Sequence, residues 1–255
     1  MSRQMAVKVT AGTAVAGALA FGLAIPAQAA SSPTPAPKTS STPAKRAVVT
    51  TAQLNAGTKL RLGDTGDGVT DVQNRLNTVG IITPVNGVYN ATTAKNVARF
   101  NEKFRGYEEG ANKVVDLKTW AKLKSASAKG DRVPSVCKTK AAALCISKSQ
   151  RVVRYYRKGK LVTALDARFG GPGNRTRNGN FRIFRKVKND FSTLYKTPMP
   201  WSMYFSGGQA VHYSMFFNAV GYNGASHGCV NIRDKQGEIA LWKKVKIGTF
   251  AKVYN

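Results

Sequence analysis

At 255 residues the chain has room for one or two ordinary domains. Its 42% hydrophobic and 20% charged residues suit packed domains rather than a disordered polymer, and three cysteines are too few for a disulfide-stapled miniprotein. The 40 Lys and Arg outnumber 12 Asp and Glu, giving a formal net charge of +28, and beyond the first thirty residues no apolar run could span a bilayer, which excludes a polytopic membrane protein.

The N-terminus reads as a secretory signal. Arg3 and Lys8 form a short basic start, Val9 to Ile25 is uncharged and apolar, Pro26 ends it, and Ala27-Gln28-Ala29 is a small-x-small cleavage pattern. We place the signal over residues 1–29, with no stable membrane insertion after its removal. A retained anchor is the rival reading, disfavoured by the alanine-rich stretch and the cleavage pattern. Residues 30–55, with Pro33, Pro35, Pro37 and Pro43 among Ser, Thr, Ala and Lys, read as a Pro/Ser/Thr-rich linker. An exported chain with this charge would meet wall polymers, lipid headgroups and acidic peptides. No nucleic-acid motif is present, and nucleic acid is not an expected partner.

Residues 56–125 carry helical periodicity. Val69, Val72, Leu76 and Val79 share one face, with Asp67 as N-cap and Gly80 past the C-terminus. A second helix is expected from Thr92 to Phe104 with Ala94, Val97, Phe100 and Phe104 inward, and a third is capped by Asp116 with Leu117, Trp120 and Leu123 inward. Asn86-Gly87 and Asn90 are turn residues. Periodicity alone supports a three-helix bundle without any site. The run Leu60-Arg61-Leu62-Gly63-Asp64, then Val69-x-x-Val72-Gln73-x-x-Leu76-Asn77-x-x-Gly80, Asn86-Gly87-Val88-Tyr89-x-x-x-Thr93 and Val97-x-x-Phe100 resembles the peptidoglycan-binding-domain-1 family. That resemblance implies a small wall-binding module. The family usually has Asp, Gly and Gln where Asn86, Asn90 and Asn101 stand. Residues 126–136 read as an interdomain linker.

Residues 137–255 read as a second domain, and from about Cys145 onward the pattern turns to period two. Arg151 to Tyr156, a Lys158-Gly159-Lys160 turn and Leu161-Val162 form a hairpin, Phe181 to Phe184 and Ala210 to Tyr213 are further strands, and one helix is expected from Asp234 to Lys243. The expected architecture is multidomain α + β: a small three-helix bundle followed by a mainly-β domain. This half carries +18 of the net charge.

Both histidines of the chain, His212 and His227, lie within seventeen residues of Cys229. An imidazole exchanges protons near neutral pH and can raise the thiolate fraction of a nearby cysteine, which points to nucleophilic catalysis. Gly228 permits close backbone approach, and N–H groups there could face a tetrahedral oxyanion. A lone cysteine is also commonly a small buried hydrophobe. A zinc site would need three or four ligands, and no metal is expected. Spacing does not decide which histidine is the base. Cys137 and Cys145 can close a disulfide in an oxidising compartment, leaving Cys229 as the free thiol.

The segment His212, Gly221, Gly224 and Ser226-His227-Gly228-Cys229-Val230-Asn231 closely resembles the L,D-transpeptidase catalytic domain. Thr176-Arg177-Asn178-Gly179-Asn180-Phe181 matches that family's Thr-Pro-x-Gly-x-Phe strand, with Arg177 in place of Pro, and Gln150 to Tyr156 matches its opening strand. The resemblance implies Cys229 as nucleophile, His212 as general base, the Tyr213 carbonyl orienting His212, an oxyanion site from His227, Gly228 and Cys229, and Ser226 and Asn231 holding substrate or loop. It implies a secreted, cell-wall enzyme that makes 3→3 cross-links by acyl transfer from tetrapeptide stems with loss of D-Ala, acts without a cofactor, and reacts covalently with carbapenems. Its partners would be stem peptides, glycan and anionic wall polymers. An L,D-carboxypeptidase or a non-catalytic basic wall-binding protein are the alternatives. Trp201 and Tyr204 are candidate cleft walls, or plain core and rim aromatics.

Overall fold

Val69, Val72 and Leu76 are fully buried along one side of α2 (Asp67–Thr78), the face that their spacing predicts. The computed structural model describes residues 47–105, 113–128 and 133–255. The signal segment, most of the first linker and residues 129–132 of the second lie outside the described residues. Before α2 comes α1 (Thr51–Asn55), closed by a capping box in which Thr50 and Gln53 satisfy each other's backbone N–H groups. Then follow α3 (Ala91–Arg105), whose first turn is capped by Asn90 Oδ1 accepting from Thr93 N–H at 2.9 Å, and α4 (Leu117–Ala128), capped by Asp116 Oδ1 accepting from Thr119 N–H at 2.7 Å. Leu54, Leu60, Leu76, Phe100, Trp120 and Leu123 meet in one apolar core.

Four local expectations need correction. Asp67 is the first helical residue and not the N-cap; its carboxylate turns back to Gly68 N–H while Gly66 occupies the cap. Leu117 starts α4 at 53% exposure, because the inward face begins one turn later at Trp120. Residues 47–55 are not all linker: Val49 and Leu54 are buried in the helical core. The second linker is shortened from both ends, as α4 runs to Ala128 and α5 (Ser135–Thr139) follows.

The β domain is a nine-stranded sheet. Its strands are β1 (Ala142–Ser147), β2 (Val152–Arg157), β3 (Lys160–Arg168), β4 (Gly179–Arg182), β5 (Arg185–Val187), β8 (Ser202–Ser206), β9 (Gln209–Tyr213), β10 (Val230–Ile232) and β11 (Phe250–Tyr254), in the order β4-β11-β1-β2-β3-β10-β9-β8-β5. β6 (Phe191–Ser192) and β7 (Thr197–Pro198) form a separate two-stranded flap. Only β1–β11 and β9–β10 pair in parallel. The sheet curls until Phe181 on β4 meets Phe205 on β8, ring centroids 5.5 Å apart. α6 (Met215–Val220) follows β9, and α7 (Lys235–Lys244) packs on β3 and β9. Cys137 and Cys145 form a disulfide that ties α5 to β1. No helix among the described residues is long and apolar enough to cross a membrane.

The helical module is joined to the sheet through buried charge. Lys103 on α3, with no exposed side-chain surface, reaches Asp166 on β3 at 2.8 Å and donates to the Val79 carbonyl. Burial lowers its ammonium to about 8, and Asp166 opposes that fall. Asp166 also meets Arg233 Nε at 3.2 Å and accepts from the Tyr222 hydroxyl, while Glu102 on α3 pairs with Arg233 Nη1 at 3.0 Å. Backbone contacts complete the seam: Asp166 N–H donates to Gly80, and Arg151 donates to the Lys103 carbonyl.

Candidate active site

The parallel pairing of β9 with β10 places Asn231 opposite His212, and Cys229 stands two residues before Asn231. Residues two apart on a strand share a face, and His212, Cys229 and Asn231 all line one cleft of about 950 Å³. His212 Nδ1 lies 2.7 Å from the Tyr213 carbonyl, so it carries the proton and donates. That leaves Nε2 as the acceptor, and it receives the Asn231 amide N–H at 2.9 Å. Asn231 Oδ1 in turn takes a long contact, 3.4 Å, from Arg168 Nη2 on β3.

Cys229 is the free thiol among the described residues and is half-buried at the cleft wall. Burial pushes its pKa up, and the Ala210 N–H directed at the sulfur partly offsets this. Sγ lies 3.8 Å from the Gly208 carbonyl. Burial lowers the His212 imidazole to about 4, opposed by its bond to Tyr213. Thiol and imidazole are therefore both neutral at pH 7, with an acceptor nitrogen available once the Asn231 amide gives way. Such a pair can move a proton from sulfur to nitrogen as the sulfur attacks a carbonyl.

The turn before the cysteine is held rigidly. Ser226 Oγ accepts from Gly228 N–H at 3.2 Å and donates to the Cys229 carbonyl at 2.5 Å. Thr176 donates to the Gly228 carbonyl at 2.9 Å. Gly228 has φ +112, and a Cβ there would come within 2.6 Å of the Gln209 amide, so glycine is required twice over. The Gly228 N–H, expected in the oxyanion site with His227 and Cys229, is engaged by the Ser226 hydroxyl here. The N–H that meets the sulfur belongs to Ala210, which strand register supplies and sequence reasoning missed.

The other site residues separate clearly. His227 does not share the base position; its ring stacks on Tyr195 of the β6–β7 flap at 4.0 Å and 12°. Tyr204 lines the cleft, and its hydroxyl donates to Asp190 at 2.6 Å while burial, reinforced by Asp190, raises its pKa to about 12. Trp201 does not line the cleft; it meets the edge of Tyr213 behind it. Arg168, Arg175, Arg177 and Arg185 line the cleft against the single carboxylate of Asp190, so the wall is cationic. Arg168 and Tyr195 were also missed. A buried strand reading Asp166-Ala167-Arg168 was the available signal, since charge on an interior strand must be paired or used. Among the described residues no group of three or more His, Cys, Asp or Glu could hold a metal ion.

Residues 141–254 match the YkuD family, described as the L,D-transpeptidase catalytic domain. The chain is similar to the crystal structure of the L,D-transpeptidase from Xylanimonas cellulosilytica, with 25% identity and a TM-score of 0.55 over 76% of this chain and 97% of that one. That share exceeds the family match, so the likeness extends into the helical module. The L,D-transpeptidase from Stackebrandtia nassauensis has the same fold, with 20% identity and a TM-score of 0.51 over 77% of this chain and 95% of that one. No curated protein matches the chain.

Proposed function

We propose that the β domain, within which residues 141–254 match the L,D-transpeptidase catalytic domain, is a cysteine acyltransferase acting on peptidoglycan stem peptides outside the cell. The supporting observation is a free thiol immediately before β10 and, on the adjoining parallel strand β9, an imidazole with its acceptor nitrogen, both lining one open cleft. Cys229 is the nucleophile and His212 the base. As sulfur attacks the carbonyl of the third, diamino-acid residue of a tetrapeptide stem, its proton passes to His212 Nε2. The S–C bond forms, the C–N bond to the terminal D-alanine breaks, and Nε2 returns the proton to the leaving amine. The side-chain amine of a second stem then attacks the thioester, releasing the thiol and leaving a 3→3 cross-link. Ala210 N–H stabilises the developing thiolate, Ser226 fixes the turn, and the arginine-lined wall suits stems ending in carboxylate. The helical module would hold the enzyme on the wall, and the signal segment would deliver it there.

Incubating the protein with tetrapeptide-stem muropeptides and weighing the products tests this reading. Cross-linked dimers are expected, and Cys229→Ala should abolish them. Trimmed monomers would make the protein an L,D-carboxypeptidase, and unchanged substrate would leave a basic wall-binding protein.

A further inference from the structure

We infer that the helical module supplies a positioning residue to the catalytic site: Glu102 on α3, acting through the Gly221–Tyr222 peptide and Arg168 on the Asn231–His212 pair. This rests on the functional reading above and adds to it a part that lies outside the catalytic family match. The connection is continuous. Glu102 Oε1 accepts from Tyr222 N–H at 2.6 Å. The neighbouring Gly221 carbonyl accepts from Arg168 Nη1 at 2.8 Å, and Arg168 Nη2 reaches Asn231 Oδ1, whose amide N–H donates to His212 Nε2. Gly221 is what lets the carboxylate approach: it has φ +55, and a Cβ there would fall 1.4 Å from Glu102 Oε1.

Charge supplies the second argument. The Arg168 and Arg233 guanidinium groups both lie against the Phe217 ring, at 5.1 and 4.4 Å from its centre. Two cations sharing one ring repel. Arg233 takes Glu102 at 3.0 Å and Asp166 at 3.2 Å as counter-charges, and Asp166 is also engaged by Lys103. Without Glu102, Arg233 loses one carboxylate, the Tyr222 N–H loses its acceptor, and the loop that carries the Gly221 carbonyl is free to withdraw from Arg168. The Asn231 side chain, which has to steer the ring while yielding Nε2 to the thiol proton, then loses the Arg168 contact that anchors its carbonyl, and with it the imidazole loses its aim. Around His212 the other charged group in play is Asp190 at the cleft wall.

The test reads the thiol directly and needs no stem peptide. Alkylation of Cys229 by iodoacetamide is followed across the neutral pH range in the full chain, for the native protein and for Glu102→Ala, Glu102→Gln, His212→Ala and Asp71→Ala, alongside thermal melting. His212→Ala sets the floor. Glu102→Ala should lower the neutral-pH rate roughly ten-fold and flatten the pH profile towards that floor, because a small misplacement of a reacting group costs one to two orders of magnitude. Glu102→Gln keeps an acceptor for Tyr222 N–H but loses the charge, and should fall in between. Asp71→Ala, which removes a surface ion pair of the same module with Arg75, should leave the profile unchanged. With muropeptides, kcat should fall while KM stays within about two-fold. A folded Glu102→Ala protein with the native alkylation profile overturns the inference, as does an Asp71→Ala loss of equal size. If Glu102→Ala does not fold, Glu102→Gln decides: a lowered rate supports the inference and a native rate overturns it. Absence of any muropeptide turnover by the native protein would sink the functional reading while leaving the alkylation result standing.

Discussion

The chain buries polar groups in two neighbouring places and treats them oppositely. At the seam between helices and sheet, Lys103, Glu102, Asp166 and Arg233 are charged, and each meets an opposite charge at 2.8 to 3.2 Å. In the cleft, His212, Cys229 and Asn231 are held by amides and carbonyls, and burial drives both titratable members neutral. Paired charges resist exchange because breaking either partner strands the other in low dielectric. A neutral thiol and a neutral imidazole can pass a proton from one to the other when a substrate arrives. One arrangement locks and the other reacts, and Arg168 touches both through Gly221 and Asn231.

The largest way to break the contrast is to remove the cleft imidazole. His212→Ala should slow formation of the Cys229 acyl-enzyme by about 10²- to 10⁴-fold, the usual worth of a positioned base. His227→Ala should cost less than about ten-fold, because its ring stacks on the flap and its loss leaves the Tyr213–His212–Asn231 line intact. Intact-mass measurement of the acyl-enzyme in single turnover reads both. The reverse ranking would place the base on the flap side and end the reactive half of the comparison.

Breaking the locked half should show in stability. Lys103→Met leaves Asp166 buried with one cation fewer and the Val79 carbonyl without its donor, which should cost about 3–5 kcal/mol in urea unfolding. Because the same pair joins α3 to β3, helical and sheet probes should unfold together in the native protein and come apart in the variant. A cost under about 1 kcal/mol would mean the pair is solvated like a surface bridge.

The two halves also differed in how far the sequence revealed them. Local signals were legible: the Val69, Val72 and Leu76 stripe, the Asp116 cap at a helix start, the hairpin turn at Lys158-Gly159, and the clustering of both histidines around Cys229. What was hidden depends on register and long-range contact. The partner of His212 Nε2 is Asn231 because β9 and β10 align in parallel with that offset, and Ala210 meets the sulfur for the same reason. The seam joins residues 63 and 131 positions apart, Lys103 with Asp166 and Glu102 with Arg233, which no periodicity connects. The fold of the Ser226 hydroxyl back onto Gly228 N–H is likewise a local contact that spacing does not carry.

A pH titration sharpens the comparison from the reactive side. His212 in the folded chain titrates near 4, below the ordinary 6.5, so between those values the unfolded chain binds the proton more readily. Stability from this group is therefore full above about pH 6.5 and is lost as pH falls towards 4, by up to about 3 kcal/mol. His212→Gln should flatten that slope, while Lys103→Met should lower the whole curve without changing its shape there. If His212→Gln keeps the slope, the cleft imidazole is not buried as a neutral group.

The smallest expected effect separates locking from reaction altogether. Cys137 and Cys145 close a short loop between α5 and β1, and both are fully buried with Ala143 and Tyr156. In the loop-entropy account, a bridge eight residues apart is worth about 2.5 kcal/mol. Cys137→Ala with Cys145→Ala should lower the free energy of urea unfolding by that amount, read as a lower midpoint with little change in slope. Alkylation of Cys229 should keep its native rate, because β1 is separated from β10 in the sheet by β2 and β3. A combined loss of stability and thiol reactivity would show that tension at the sheet's far side is felt in the cleft. The division between a part of the molecule that holds and a part that reacts would then fail.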